Sequence, residues 1–143
     1  MTKTLFAAFL TAEFAMNCAF ADDLSPGLWE ITMESRVPAD SGWNPPPFNV
    51  TQCLTANDAR DPSKLISSIS TPGATGCSYT NKSYSGSTFQ FALDCSGSYG
   101  LKSKGSVTFN ANSFSGDITA TGNLGGQVVE FQNHVTGKRV GGC

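Results

Sequence analysis

Five cysteines stand in this chain, and four of them, Cys53, Cys77, Cys95 and Cys143, lie beyond its apolar N-terminal segment. An even set spread through a short exported domain reads as two disulfides, which bounds both the compartment and the topology. The N-terminal segment carries Lys3, then a mostly apolar run from Leu5 to Ala21 that ends Ala19-Phe20-Ala21 and is followed by Asp22-Asp23. This pattern predicts a cleavable signal peptide over residues 1–21. Glu13 and Asn17 interrupt the run, whereas a membrane anchor wants about twenty uninterrupted apolar residues. Cys18 follows Asn17 rather than the small apolar residue expected before a lipid-attachment cysteine, so it is read as discarded with the leader. The expected location is therefore periplasmic or secreted.

Residues 22–143 form one expected domain, long enough for a modest core. It carries eight Lys and Arg against ten Asp and Glu, with no basic stripe and no charge block. That balance argues against nucleic acid and against an anionic membrane surface as partners. No membrane span is expected after cleavage, and a monomer is expected.

Period-two alternation dominates, as in strands with one buried face. Over Leu28–Val37, Trp29, Ile31, Met33 and Val37 alternate with Glu30, Thr32, Glu34 and Arg36. A loop with Pro45-Pro46-Pro47 follows, which a central strand cannot hold. An extended piece is expected from Phe48 to Cys53. One helical region comes next: Thr55 is placed to cap a short turn, Asp61 to cap a second start, and Pro62 stands at its first position. Leu65, Ile66 and Ile69 fall on one side of this helix, and Thr71-Pro72-Gly73 ends it.

Two hairpins then read from their turns. Centring the first on Gly86 sets Cys77 opposite Cys95, Tyr79 opposite Leu93 and Asn81 opposite Phe91. A turn at Ala111-Asn112 sets Phe109 opposite Phe114, Val107 opposite Gly116 and Gly105 opposite Ile118. Gly122–Gly126 is read as a flexible loop, Gln127–Thr136 as the last strand, and Gly137–Gly142 as a lead-in to Cys143. Hairpin symmetry selects the pair Cys77–Cys95, which leaves Cys53–Cys143. A structural zinc site would bring its cysteines in close pairs two to four residues apart. The nearest two here are separated by seventeen residues, so no metal is expected. The fold class expected is all-β: a curved antiparallel meander or incomplete barrel of about seven strands, with one short helical segment packed on it. An immunoglobulin sandwich fits poorly, because no tryptophan lies between any two of the four cysteines.

Several ordered elements resemble one family. They are Pro26-Gly27-Leu28-Trp29-Glu30, Cys53-Leu54-Thr55 with Asp61-Pro62, Gly76-Cys77, Leu93-Asp94-Cys95 and the ending Gly137-Lys138-Arg139-Val140-Gly141-Gly142-Cys143. Together they resemble the bacterial exported family called domain of unknown function 3617. The resemblance implies a periplasmic or secreted protein of a Gram-negative bacterium, and it brings no activity and no catalytic residues.

Catalytic constellations are scarce. His134 is the one histidine, on the outward parity of the last strand beside Glu130 and Gln132, where a solvent-facing role suffices. No Gly-x-Ser-x-Gly, Ser-x-x-Lys or Cys-x-x-Cys occurs. Asp58 and Asp61 form a close carboxylate pair, but helix starts account for both. No cofactor and no enzymatic activity are expected, and a hydrolase has the least support. The aromatic set Trp29, Tyr79, Phe89, Phe91, Phe109, Phe114 and Phe131 shares the inward parity, as in a packed core or the wall of an apolar cavity. Trp43 stands apart in the proline-rich loop. The expected function is a non-enzymatic exported binding module for a small apolar ligand. The alternative is an interaction or inhibitor protein whose loops engage another envelope or secreted protein. The candidate contact residues are Trp29, Trp43, Tyr79, Phe91 and Phe131.

Overall fold

The alternation of the first strand is realised as read. In the computed structural model, which describes residues 24–38 and 44–143, β1 spans Gly27–Arg36 and buries Trp29, Ile31 and Met33 while Glu30 and Glu34 face water. The leader and Trp43 lie outside the described residues. After the three prolines, β2 (Phe48–Leu54) pairs antiparallel with β1 and sets Val50 opposite Ile31. It is an edge strand, which suits a segment entered from proline.

Two short helices take the place of the single helical segment expected. α1 (Ala56–Arg60) starts in a capping box: the Thr55 hydroxyl accepts from the Asp58 amide, and the Asp58 carboxylate accepts from the Thr55 amide. The Asp58 carboxylate also accepts from the Thr55 hydroxyl at 2.8 Å, and this bond first, then the one from the Thr55 amide, holds the carboxyl below its ordinary pKa. α2 (Pro62–Ser70) begins with proline at its first position, where the missing amide costs nothing. Asp61 occupies the N-cap but makes no capping bond to the helix backbone; it accepts instead from the Ser63 hydroxyl. Leu65, Ile66 and Ile69 are buried in the common core, as their spacing implied.

The remaining strands are β3 (Cys77–Ser85), β4 (Thr88–Cys95), β5 (Leu101–Phe109), β6 (Ser113–Leu124) and β7 (Gln127–Gly141). All seven form one antiparallel sheet in the order β2-β1-β7-β6-β5-β4-β3. The sheet is open and does not close into a barrel. The helical segment joins its two edge strands, and its apolar side packs on one face. There Trp29, Phe89, Phe91, Val107, Phe114 and Val135 meet Leu65, Ile66 and Ile69. Each fully buried large apolar side chain contributes roughly 1.5–3 kcal/mol relative to exposure. Trp29 stacks on Phe114 with ring centroids 5.7 Å apart, and Phe89 on Phe91 at 5.5 Å.

Three features differ from the sequence reading. The β3–β4 register slips between Tyr79 and Asn81, so Asn81 faces Ala92 and Lys82 faces Phe91, rather than Asn81 facing Phe91. An extra residue, Thr80, bulges out. As a result Tyr84 sits opposite Phe89, its ring stacked at 4.7 Å. Secondly, Gly122–Leu124 belongs to β6, and the connection is the two-residue turn Gly125-Gly126. Thirdly, β7 does not stop at Thr136 but runs to Gly141 between β1 and β6. Gly137 permits this, because the Phe114 ring of β6 lies flat against it, leaving no room for a β-carbon.

The sulfurs of Cys77 and Cys95 lie at bonding distance across the β3–β4 pair, and those of Cys53 and Cys143 between the β2 edge and the tail. The Cys53 and Cys143 Cα atoms are 5.8 Å apart. That pair lies 90 positions apart in sequence and the other 18.

Candidate ligand-binding cleft

α2 ends at Ser70 and leaves one end of the inner sheet face uncovered. At that end Leu101 of β5, Gly122 and Leu124 of β6 and Phe131 of β7 share the inward parity. Pro72 and Ala74, beyond the helix, close one side, and Tyr99 from the β4–β5 connection closes another. The result is an apolar cleft of about 320 Å³ with no charged residue in its lining.

Hydrogen bonds tie the frame together. The Thr75 amide donates to the Ser98 hydroxyl at 2.9 Å, and the Thr75 hydroxyl donates to the Gly97 carbonyl at 3.1 Å. The Asn123 amide donates to the Tyr99 carbonyl at 3.1 Å. The post-helix loop, the β4–β5 connection and the β6–β7 hairpin are thus held to one another.

Tyr99 is the unusual residue of this frame. The Leu101 amide donates to the Ser98 carbonyl at 2.8 Å, closing a turn whose central residues, Tyr99 and Gly100, have φ of 48° and 62°. Two successive positive φ values favour Asn-Gly at such a turn. Tyr99 is the only non-glycine residue with positive φ among the described residues, and the residue is 81 % exposed. Leu124 and Val128, on the neighbouring hairpin, are also exposed apolar residues.

The structure distributes the sequence-derived candidates unevenly. Phe131 lines the cleft and is partly buried. Trp29 and Phe91 lie deep in the core, 0 % and 4 % exposed, with their rings closed off from solvent. Tyr79 packs edge-on against Phe89 and Phe91 and donates its hydroxyl to the Ser63 carbonyl of α2. Burial chiefly, then the neighbouring Tyr84 and Asp61, raises its phenol pKa well above the ordinary value. Tyr99, Leu101 and Leu124 escaped the sequence reading. The detectable signal was Tyr99-Gly100 standing between two alternating runs.

On the opposite, outward face, His134 Nδ1 lies 2.9 Å from Asp117 Oδ1, and Glu34 stands across from His134 on β1. The histidine faces outward as expected, but a loop over Gly122–Gly126 would not bring Asp117 opposite it. With Gly125-Gly126 as the turn, residue 117 falls opposite 134. The pair is exposed on both sides. Among the described residues no group of three His, Cys, Asp or Glu side chains is placed to hold a metal ion.

An open seven-stranded antiparallel sheet, filled on one face by a two-helix crossover and with two cysteine pairs at bonding distance, defines a small all-β domain. The family described as "Protein of unknown function (DUF3617)" matches residues 24–143, and the chain belongs to that family. No curated protein and no solved structure shows a significant match to it.

Proposed function

We propose that this protein is an exported, non-enzymatic binding module that takes a small apolar ligand in the cleft between Tyr99, Leu101, Leu124 and Phe131. The observation that carries the reading is the backbone of Tyr99. A bulky residue in the left-handed region costs on the order of 1–3 kcal/mol, and such strain concentrates where a side chain is held for contact. Here it holds an exposed ring at the rim of an apolar recess. The recess falls within the span of small-molecule sites, roughly 300–1,000 Å³. Phe131 supplies contact surface. Export is supported by the leader-like N-terminus and by two cysteine pairs suited to an oxidising compartment. Among the described residues no helix is long and apolar enough to cross a membrane.

Amide NMR titration of the oxidised protein with 1-octanol tests the reading. Saturable shifts are expected at Leu101, Gly122, Leu124 and Phe131, and Phe131→Ser is expected to abolish them. Shifts scattered over the sheet, or none at these positions, would refute it.

A further inference from the structure

We propose that Gly122 sets the specificity of this cleft, and that the ligand enters it with a single unbranched alkyl chain; the proposal rests on the ligand-binding reading above. Glycine inside a strand weakens it, because it has the most conformational freedom to lose and no side chain to pack. A strand-interior glycine therefore calls for a reason, and four stand in this sheet: Gly105, Gly116, Gly122 and Gly137. Three of them have that reason in the fold. A β-carbon would stand 2.5 Å from the Asp117 carbonyl oxygen at Gly105, 2.3 Å from the Ser106 carbonyl oxygen at Gly116 and 2.1 Å from the Phe114 ring at Gly137.

Gly122 has no such neighbour. Its φ is not positive, so its backbone does not require glycine. A β-carbon built there meets only Leu101 Cδ1, at 3.5 Å, which is ordinary contact. Of the four, Gly122 is also the one that lines the cleft. Neither its conformation nor its packing forbids a side chain, and the remaining use of a strand glycine is close approach of a ligand to the backbone.

The surroundings of Gly122 define the shape of that ligand. A ligand carbon at the position of the β-carbon meets Leu101 of β5 at contact distance. Phe131 stands on the other flank, on β7, two residues beyond Val129, the register partner of Gly122. β5 and β7 border β6, so two strand spacings, about 9–10 Å in all, separate them. One methylene chain in ordinary contact on both sides needs roughly 7–8 Å, and a branch point needs more. No charged side chain lines the cleft, so an apolar chain strips no charge of water on entry. One slot takes one chain, with Tyr99 at the rim.

The test compares 1-octanol, its branched isomer 2-ethylhexanol and the two-chain lipid dihexanoyl phosphatidylcholine on the wild type, Gly122→Ala and Gly141→Ala, by the same amide titration. On the wild type, the branched isomer and the two-chain lipid are each expected to bind about tenfold more weakly than 1-octanol, the cost of one misplaced methylene. Gly122→Ala is expected to weaken 1-octanol about fivefold or more, as overpacking does, while the ligand-free variant melts at or above the wild type. Gly141→Ala, in the same sheet but outside the cleft, is expected to leave binding unchanged. The specificity role is overturned if Gly122→Ala binds 1-octanol as the wild type does, or if the ligand-free variant melts lower, which would mean that the fold itself needs the glycine. Equal or tighter binding of the branched isomer overturns the unbranched shape, and equal or tighter binding of the two-chain lipid overturns the single chain. If no probe moves the cleft amides of the wild type, the cleft reading itself fails, a result distinct from each of these.

Discussion

Replacing Gly137 with alanine isolates one close contact of the core. A β-carbon built there would stand 2.1, 2.3 and 2.6 Å from Cε1, Cζ and Cδ1 of Phe114. Ordinary contact begins near 3.4 Å, so the ring must retreat by about 1.3 Å. It has little freedom to do so. Phe114 is 3 % exposed, lies against Trp29 at 5.7 Å and touches Phe109 at 5.6 Å. Overpacking of a filled core costs about 1–3 kcal/mol. If the ring leaves instead, the loss approaches the 3–5 kcal/mol typical of deleting a buried phenylalanine. We expect Gly137→Ala to lower stability by about 2–4 kcal/mol. Gly141→Ala, four residues on in β7, meets nothing within 4 Å and serves as the control; it should be neutral or slightly stabilising. Urea unfolding followed by circular dichroism gives both values, with the slope checked for two-state behaviour. In the Phe114→Leu background the penalty at Gly137 should shrink by at least half. A Gly137→Ala protein within about 0.5 kcal/mol of the wild type, below the usual range of core overpacking, would refute the packing argument.

Tyr99→Asn should raise stability by about 1 kcal/mol, since asparagine tolerates left-handed backbone, while weakening 1-octanol binding in the cleft; loss of stability would show that the turn is not strained. Serine substitution of Cys53 with Cys143 should cost about 4–5 kcal/mol, and of Cys77 with Cys95 about 3 kcal/mol, because the first pair closes the longer loop. Denaturant unfolding measures both, and a reversed order would contradict the loop-closure account. Tyr79 ionises at higher pH in the folded state than its unfolded value near 10. Its contribution is therefore full below about pH 10 and is lost as pH rises through the folded pKa. Tyr79→Phe should flatten the alkaline fall in stability; an unchanged profile in tyrosinate absorbance and circular dichroism would contradict this.

Much of the sheet was legible because side-chain parity and turn position together set register. The Phe109–Phe114, Val107–Gly116 and Gly105–Ile118 pairs follow directly from the Ala111-Asn112 turn. The Thr80 bulge was not legible, since both registers keep Cys77 opposite Cys95 and nothing local in Tyr79-Thr80-Asn81 marks an extra residue. Glycine misleads at the other hairpin: Gly122 suggests the start of a loop and Gly137 the start of a lead-in to Cys143, whereas Gly122 continues β6 and Gly137, within β7, makes room for an aromatic ring. The aromatic set was assigned to the correct face, but parity alone does not separate Trp29 and Phe91, under the helix, from Phe131 beyond its end. The cleft depends on where α2 stops, and its Tyr99 rim on a strained turn, and neither shows in hydrophobic periodicity.

The placement of β7 has a consequence for the order of assembly. β1 and β2 make one hairpin and β3 through β6 a contiguous meander, and within the sheet only β7 touches both. Until that strand inserts, the two halves share just the helical tether, and Trp29 lacks the Phe114 surface on which it rests. The last of the seven strands in sequence order is thus the keystone of the sheet, so a chain emerging in that order cannot close this core before β7 is available.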